Sequence, residues 1–159
     1  MDREFQRALD EENIVFGTLA GLIASLIGAG LWATITVLTQ YQIGYMAIGV
    51  GLLVAFSIRK AGHGVTAKFG VIGALLALFG CILGNILGFT YFEAQGMEQE
   101  WLAFLQSLDL KTLMEIMEFH FHSMDLLFYA IALYEGFQLS WTRPGSLEDA
   151  SETQNSEAK

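Results

Sequence analysis

Apolar residues in this chain gather into long blocks, in place of the alternation of a strand or the narrow stripe of a soluble helix. Four blocks suit a crossing of about 30 Å of hydrocarbon, at about 14–38, 41–58, 69–89 and 124–141. The first three are free of charge, and the fourth holds Asp125 and Glu135. No proline interrupts any of them, so nothing forces a kink. The pattern predicts an all-α membrane protein with a transmembrane domain of four helices over 14–142.

Basic residues give the orientation. Arg3 and Arg7 precede the first block, Arg59, Lys60 and Lys68 lie between the second and third, and Arg143 follows the fourth. The turn after the first block has no basic residue, and the long third connection has only Lys111. Lysine and arginine accumulate on the cytoplasmic side, so both termini are expected there. Trp32, Tyr41, Tyr45 and Tyr91 then fall near the outer boundary, with Phe16, Phe56, Phe69 and Trp141 near the inner one. Residues 1–13 form a cytoplasmic segment able to extend the first helix, with Phe5 and Leu9 on one side. The first apolar run is too long for a signal-peptide core and has no cationic leader, which predicts a retained helix.

The connection at 90–123 is too patterned for a plain linker. Trp101, Leu102, Phe104, Leu105 and Leu108 recur at helical spacing beside Glu98, Glu100 and Gln106. Ser107 or Asp109 can cap a second short helix carrying Leu110, Leu113, Met114 and Met117. Two short amphipathic helices at the outer surface, or one re-entrant element, are expected. The tail, 143–159, is polar and acidic and reads as disordered and cytoplasmic.

Composition narrows the classes. The chain has 159 residues, 53% hydrophobic and only 16% charged, too few charges to cover a soluble surface of that size. Its net charge of −9 leaves no basic stripe for phosphates, which excludes nucleic acid as a partner. The single cysteine, Cys81, lies within an apolar block and reads as a small buried hydrophobe. No GxSxG, HExxH, GxGxxG or P-loop pattern occurs, so the chain does not read as an enzyme, and no cofactor is predicted beyond a bound cation.

Helices in lipid associate by close packing, so small residues mark contact faces. The third block carries Gly80, Gly84 and Gly88, with Gly73, Ala77, Cys81 and Asn85 on an adjacent stripe. The first has Gly17, Gly21 and Ser25, and the second Ala47, Gly51 and Ala55. Gly80, Gly84, Gly88, Gly73, Ala77, Gly51 and Gly21 therefore mark packing within one chain or between copies, and a homo-oligomer is expected.

Ionisable residues within lipid cost at least a few kcal/mol and mark candidate chemistry. Glu135 has no basic residue on its own helix. It is expected to be protonated, paired with Arg59, Lys60 or Lys68, or turned toward water or a cation. A helix continuous from Met114 would align Glu115, Glu118, His122, Asp125 and Tyr129 on one face, a spacing suited to a shared cation or a proton relay. His120 and His122 flank Phe121 and can share an ion only in an extended segment; with Asp125 they are the metal candidates. Asn85 falls at the depth of Asp125, and a hydrogen bond between them is expected. The Gly62-His63-Gly64 turn, with Arg59, Lys60 and Lys68, can hold an anionic headgroup or simply close a positive-inside loop.

The segments GYMAIGVGLLVAFSIRKAGHG, FGVIGALLALFGCILGN and DLLFYAIALYEG resemble a group of small bacterial four-helix inner-membrane proteins with no assigned activity. Some of these carry a zinc-ribbon-like end that this chain lacks. The likeness covers 44–85 and 125–136, roughly a third of the chain. It implies a bacterial inner membrane and supplies no functional residue.

Three functions are compatible with these residues. One is a channel or transporter moving a proton or small cation past Glu135 or the Asp125 cluster. Another is a non-transporting scaffold or accessory subunit for a protein partner. The last is a metal-dependent membrane enzyme using Glu118, His122 and Asp125.

Overall fold

The computed structural model describes residues 3–41 and 44–142, with side chains from Gln6 onward. The acidic tail, Arg143 and the Arg3 side chain lie outside the described residues. Seven α-helices make up the described chain: α1 (Arg3–Glu11), α2 (Ile14–Thr39), α3 (Met46–Gly62), α4 (Ala67–Gly96), α5 (Trp101–Ser107), α6 (Leu110–His120) and α7 (Ser123–Leu139). The all-α expectation holds for the described residues.

Among the described residues, two helices, α2 and α4, are long and apolar enough, by length and composition, to cross a membrane. The 17 residues of α3 and of α7 rise about 25 Å each. In place of the expected start near residue 41, α3 begins at Met46, because Gln40 turns into the left-handed region (φ 57°) and ends α2. Its partner α4 runs past the expected residue 89 to Gly96. Thr90 and Ala94 prolong the buried stripe after the apolar block thins out.

Four helices form the body in a diamond. α2 and α7 occupy opposite corners without touching, and α3 and α4 lie between them and against each other. Within the body the residues are small: Gly17, Gly21, Ala24, Ser25, Gly28 and Ala29 on α2, and Gly73, Ala77, Gly80, Cys81 and Gly84 on α4. Trp32, Phe69, Val50, Val54, Ile58 and Tyr129 are the bulky exceptions. Large apolar residues instead face outward, among them Leu19, Ile23, Ile27 and Leu31 on α2 and Val71, Leu75 and Phe79 on α4. A water-soluble bundle has the reverse distribution.

One end of the diamond is tied by polar contacts. Asn13 caps α2, accepting from the Phe16 amide at 3.1 Å, and its own N–H donates to Gly62 O at 2.9 Å. The Glu12 carboxylate accepts from the Val65 amide at 2.7 Å and the Thr66 hydroxyl at 3.3 Å. Thr142 N–H donates to Gly64 O at 2.8 Å. The α1–α2 junction, the α3–α4 turn and the end of α7 are thereby held together. The turn requires His63 in the left-handed region (φ 47°), with its N–H donating to Arg59 O.

At the other end α5 and α6 pack on α4 alone. Phe104 and Ile116 close over Phe89 and Ala94, and Trp101 Nε1 donates to the Thr90 hydroxyl at 3.2 Å. The two short amphipathic helices expected between the third and fourth blocks are present. Asp109 caps the second of them, accepting from the Thr112 amide at 2.7 Å.

Candidate functional site

The seam where α7 meets α3 and α4 holds Asn85, Asp125, Tyr129 and Ser140, all buried, and the half-buried Glu135. Asp125, Tyr129, Ala132 and Gly136 are the buried residues of α7 and form a stripe at steps of four and three. Small partners allow the close approach. A Cβ at Gly73 would strike Ser140 Oγ and Gly136 O, and one at Gly136 would lie 2.6 Å from Gly73 O.

Glu135 stands beside this stripe, half-buried, one turn before the end of α7. Its Oε2 atom is buried and has no hydrogen-bond partner. The oxygen lies over Gly51 of α3, where a Cβ would sit 3.0 Å from it. None of Arg59, Lys60 or Lys68 pairs with it: these residues are exposed at the α3–α4 end, and the described ion pairs are Lys111–Glu115 and His120–Glu93. Of the three states expected for this carboxylate, the pair with a basic residue is therefore not formed among the described residues. A carboxyl so placed can keep a proton, or accept from water or a cation that reaches the seam.

The expected Asn85–Asp125 bond is replaced. Asn85 Nδ2 donates to the Tyr129 hydroxyl at 2.5 Å, one turn along α7 from Asp125. Asp125 instead turns to its own helix terminus, where Oδ2 accepts from the His122 amide at 2.8 Å. That contact starts a new helix, because His122 takes an extended N-cap conformation (φ −111°, ψ 156°). The helix continuous from Met114 is thus broken between α6 and α7.

This break disperses the outer constellation. Glu118 is exposed on α6, and Glu115 pairs with Lys111 at 3.6 Å. His120 stacks on Phe89 with ring centroids 5.0 Å apart, its Nε2 3.7 Å from Glu93 Oε1. His122 Nδ1 lies 2.7 Å from the carbonyl oxygen of His120. His122 and Asp125 stay together at a shallow recess of about 390 Å³ that also includes Gly44 and Phe128. Among the described residues, no three His, Cys, Asp or Glu side chains converge to hold a metal.

The glycine stripes are taken up inside the chain. Gly80 faces Ser25 and Val50, Gly84 faces Trp32, Gly88 faces Thr36, and Gly21 faces Ile58 and Leu76. Gly51 faces Ala132 and Glu135, and Ala77 is fully buried. Each of these positions packs within the chain, one of the two expected uses.

Some polar features of the body carry no sequence signal. Thr36 Oγ1 and Trp141 Nε1 are buried without hydrogen-bond partners, and the Ser25 hydroxyl reaches across to Leu76 O at 2.8 Å. Thr36 and Ser25 read as ordinary small positions, and Trp141 reads as a boundary aromatic. Comparison with protein-family models, with curated proteins and with solved structures yields no match.

Proposed function

We propose that the chain is an integral membrane protein crossing the bilayer through α2, α3, α4 and α7, in which Glu135 exchanges a proton or a small cation. The observation that carries this reading is the buried Glu135 oxygen without a partner, set against Gly51 of α3. Such a group is costly in lipid, and leucine would pack there without that cost. Along α7, Asp125, Tyr129 and Glu135 follow one another at rises of about 6 and 9 Å, giving a line of polar groups through the body.

The inside-out distribution of small and large residues supports the membrane placement, together with the two long apolar helices. The shorter α3 and α7 need only a few Å of bilayer adjustment, with Tyr45 and Trp141 at their ends as interfacial anchors. Arg59, Lys60 and Lys68 at the tied end support cytoplasmic termini, and the resemblance of three segments supports a bacterial inner membrane. Self-association then uses the large apolar residues of α2, since the glycines are already occupied.

Reconstitution tests the proposal. Liposomes enclosing a pH-sensitive dye, under an imposed potential, are expected to acidify with the wild-type chain and roughly tenfold or more slowly with Glu135→Gln. Equal rates for the two chains remove Glu135 from the mechanism. Wild-type rates no higher than those of empty liposomes, with no flux of a small cation read by a cation-sensitive dye, remove transport altogether.

A scaffold for a protein partner is the second reading. It is favoured by the α5–α6 cap, which leaves Leu110 73% and Phe119 80% exposed. Recovery of a stoichiometric partner with silent liposomes selects it.

A further inference from the structure

Two recesses meet on the outer side of α3. The first, about 510 Å³, lies at the tied end between α1 and the last turn of α3, where Arg59, Lys60 and His63 face Glu11 and Phe56. The second, also about 510 Å³, runs up α3 along Gly49, Leu53, Phe56 and Ser57. Phe56 and Lys60 belong to both. The two recesses thus adjoin along α3, with Arg59 and Lys60 beside Glu11 at one end and apolar lining from Gly49, Leu53 and Phe56 along the other.

Their dimensions suit a lipid. From Lys60 to Gly49 the helix rises about 16 Å, roughly half the thickness of a bilayer's hydrocarbon core. The apolar part is wide because Gly49 has no side chain, and a Cβ there would meet nothing within 4 Å. The Ser57 hydroxyl is turned inward onto Leu53 O at 2.7 Å, so it presents little polarity to a chain lying there. At the charged end Arg59 and Lys60 are exposed and form no ion pair among the described residues.

We propose that these adjoining recesses bind one anionic phospholipid of the cytoplasmic leaflet, its phosphate on Arg59 and Lys60 and one acyl chain along Gly49, Leu53 and Phe56. Glu11, on the same rim, accepts from headgroup hydroxyls and opposes a headgroup carboxylate, which selects phosphatidylglycerol over phosphatidylserine. The inference rests on the membrane placement proposed above and not on any role for Glu135.

Native mass spectrometry of the full chain in detergent tests it, with phosphatidylglycerol, phosphatidylserine and phosphatidylcholine of identical chains. One phosphatidylglycerol is expected to stay bound at roughly tenfold lower concentration than phosphatidylcholine, with phosphatidylserine between them. Arg59→Gln with Lys60→Gln is expected to abolish that preference. Gly49→Leu, which fills the apolar part and keeps every charge, is expected to weaken retention of all three lipids. Glycerol phosphate is expected not to compete; full displacement by it would show a free phosphate site and overturn the acyl-chain assignment. Equal retention of phosphatidylglycerol and phosphatidylcholine, or wild-type behaviour of the double variant, would overturn the headgroup assignment. Release of the chain from native membranes by alkaline carbonate would instead defeat the membrane placement itself.

Discussion

Asn85 of α4 donates a hydrogen bond to the hydroxyl of Tyr129 on α7, joining two buried side chains across the seam between these helices. Asn85 also has a further interaction, so this bond is not all that holds its side chain. Tyr129→Phe is therefore expected to destabilise the fold by only about 0.5–1 kcal/mol, in the range found for hydrogen bonds between membrane helices. A double-mutant cycle with Asn85→Leu, read by unfolding in mixed micelles, should return a coupling of about 0.6 kcal/mol. Additive effects would mean that the bond contributes nothing.

Glycines in the body divide into two kinds, and alanine substitution separates them. Gly73→Ala puts a methyl group into Ser140 Oγ and the Gly136 carbonyl, backbone that cannot move aside, and should cost about 2 kcal/mol or more. Gly30→Ala meets nothing within 4 Å and should gain roughly 0.5–1 kcal/mol of helix propensity. Thermal unfolding in one detergent compares both with wild type. Equal responses would refute the close α4–α7 approach.

Glu12 contributes to stability although it lies outside the body. Its carboxylate accepts from the Val65 amide, and Val65 is buried. Glu12→Ala leaves that N–H without its acceptor and should cost about 1–2 kcal/mol, whereas Glu12→Gln retains a carbonyl oxygen and should cost less. The order of melting temperatures, wild type above Gln above Ala, checks this.

Asp109 makes the start of α6 sensitive to acid. Its carboxyl is held below the usual carboxylate range by hydrogen bonds from Thr112, the side chain contributing most and the backbone amide next. A group with a lowered folded-state value stabilises fully above its unfolded value, about 4, and loses that contribution as pH falls through the folded one. Hydrogen exchange at the Thr112 and Leu113 amides, corrected for intrinsic rates, should accelerate on that acid side. Asp109→Asn keeps a cap acceptor that does not titrate and should flatten the response. An unchanged profile in that variant would sever the link.

The four helices of the body were legible because each carries an apolar block at helical length, two of them long enough to cross a membrane, and Asp109 was legible because a cap residue stands before a periodic run. What hydropathy misses is where backbone geometry intervenes. Nothing before Met46 signals that Gln40 turns left-handed, and nothing at Phe121 signals that Asp125 will cap a new helix. The consequence for the site is direct: Asp125, read as a partner for Asn85 and for a cation, is engaged by its own backbone, and Tyr129 takes its place. Glu135 was identifiable as a costly acid, but whether a basic side chain reached it depended on helix rotation, which one sequence does not encode.

The corner position of α7 bears on how the molecule is made. Synthesis delivers α2, α3 and α4 first, and these three already contact one another in all pairs. Gly51 and Gly73, which line the groove that α7 occupies, both precede it in the chain. In the proposed membrane placement, that helix, with an acid near either end, has this surface to dock on in place of lipid alone.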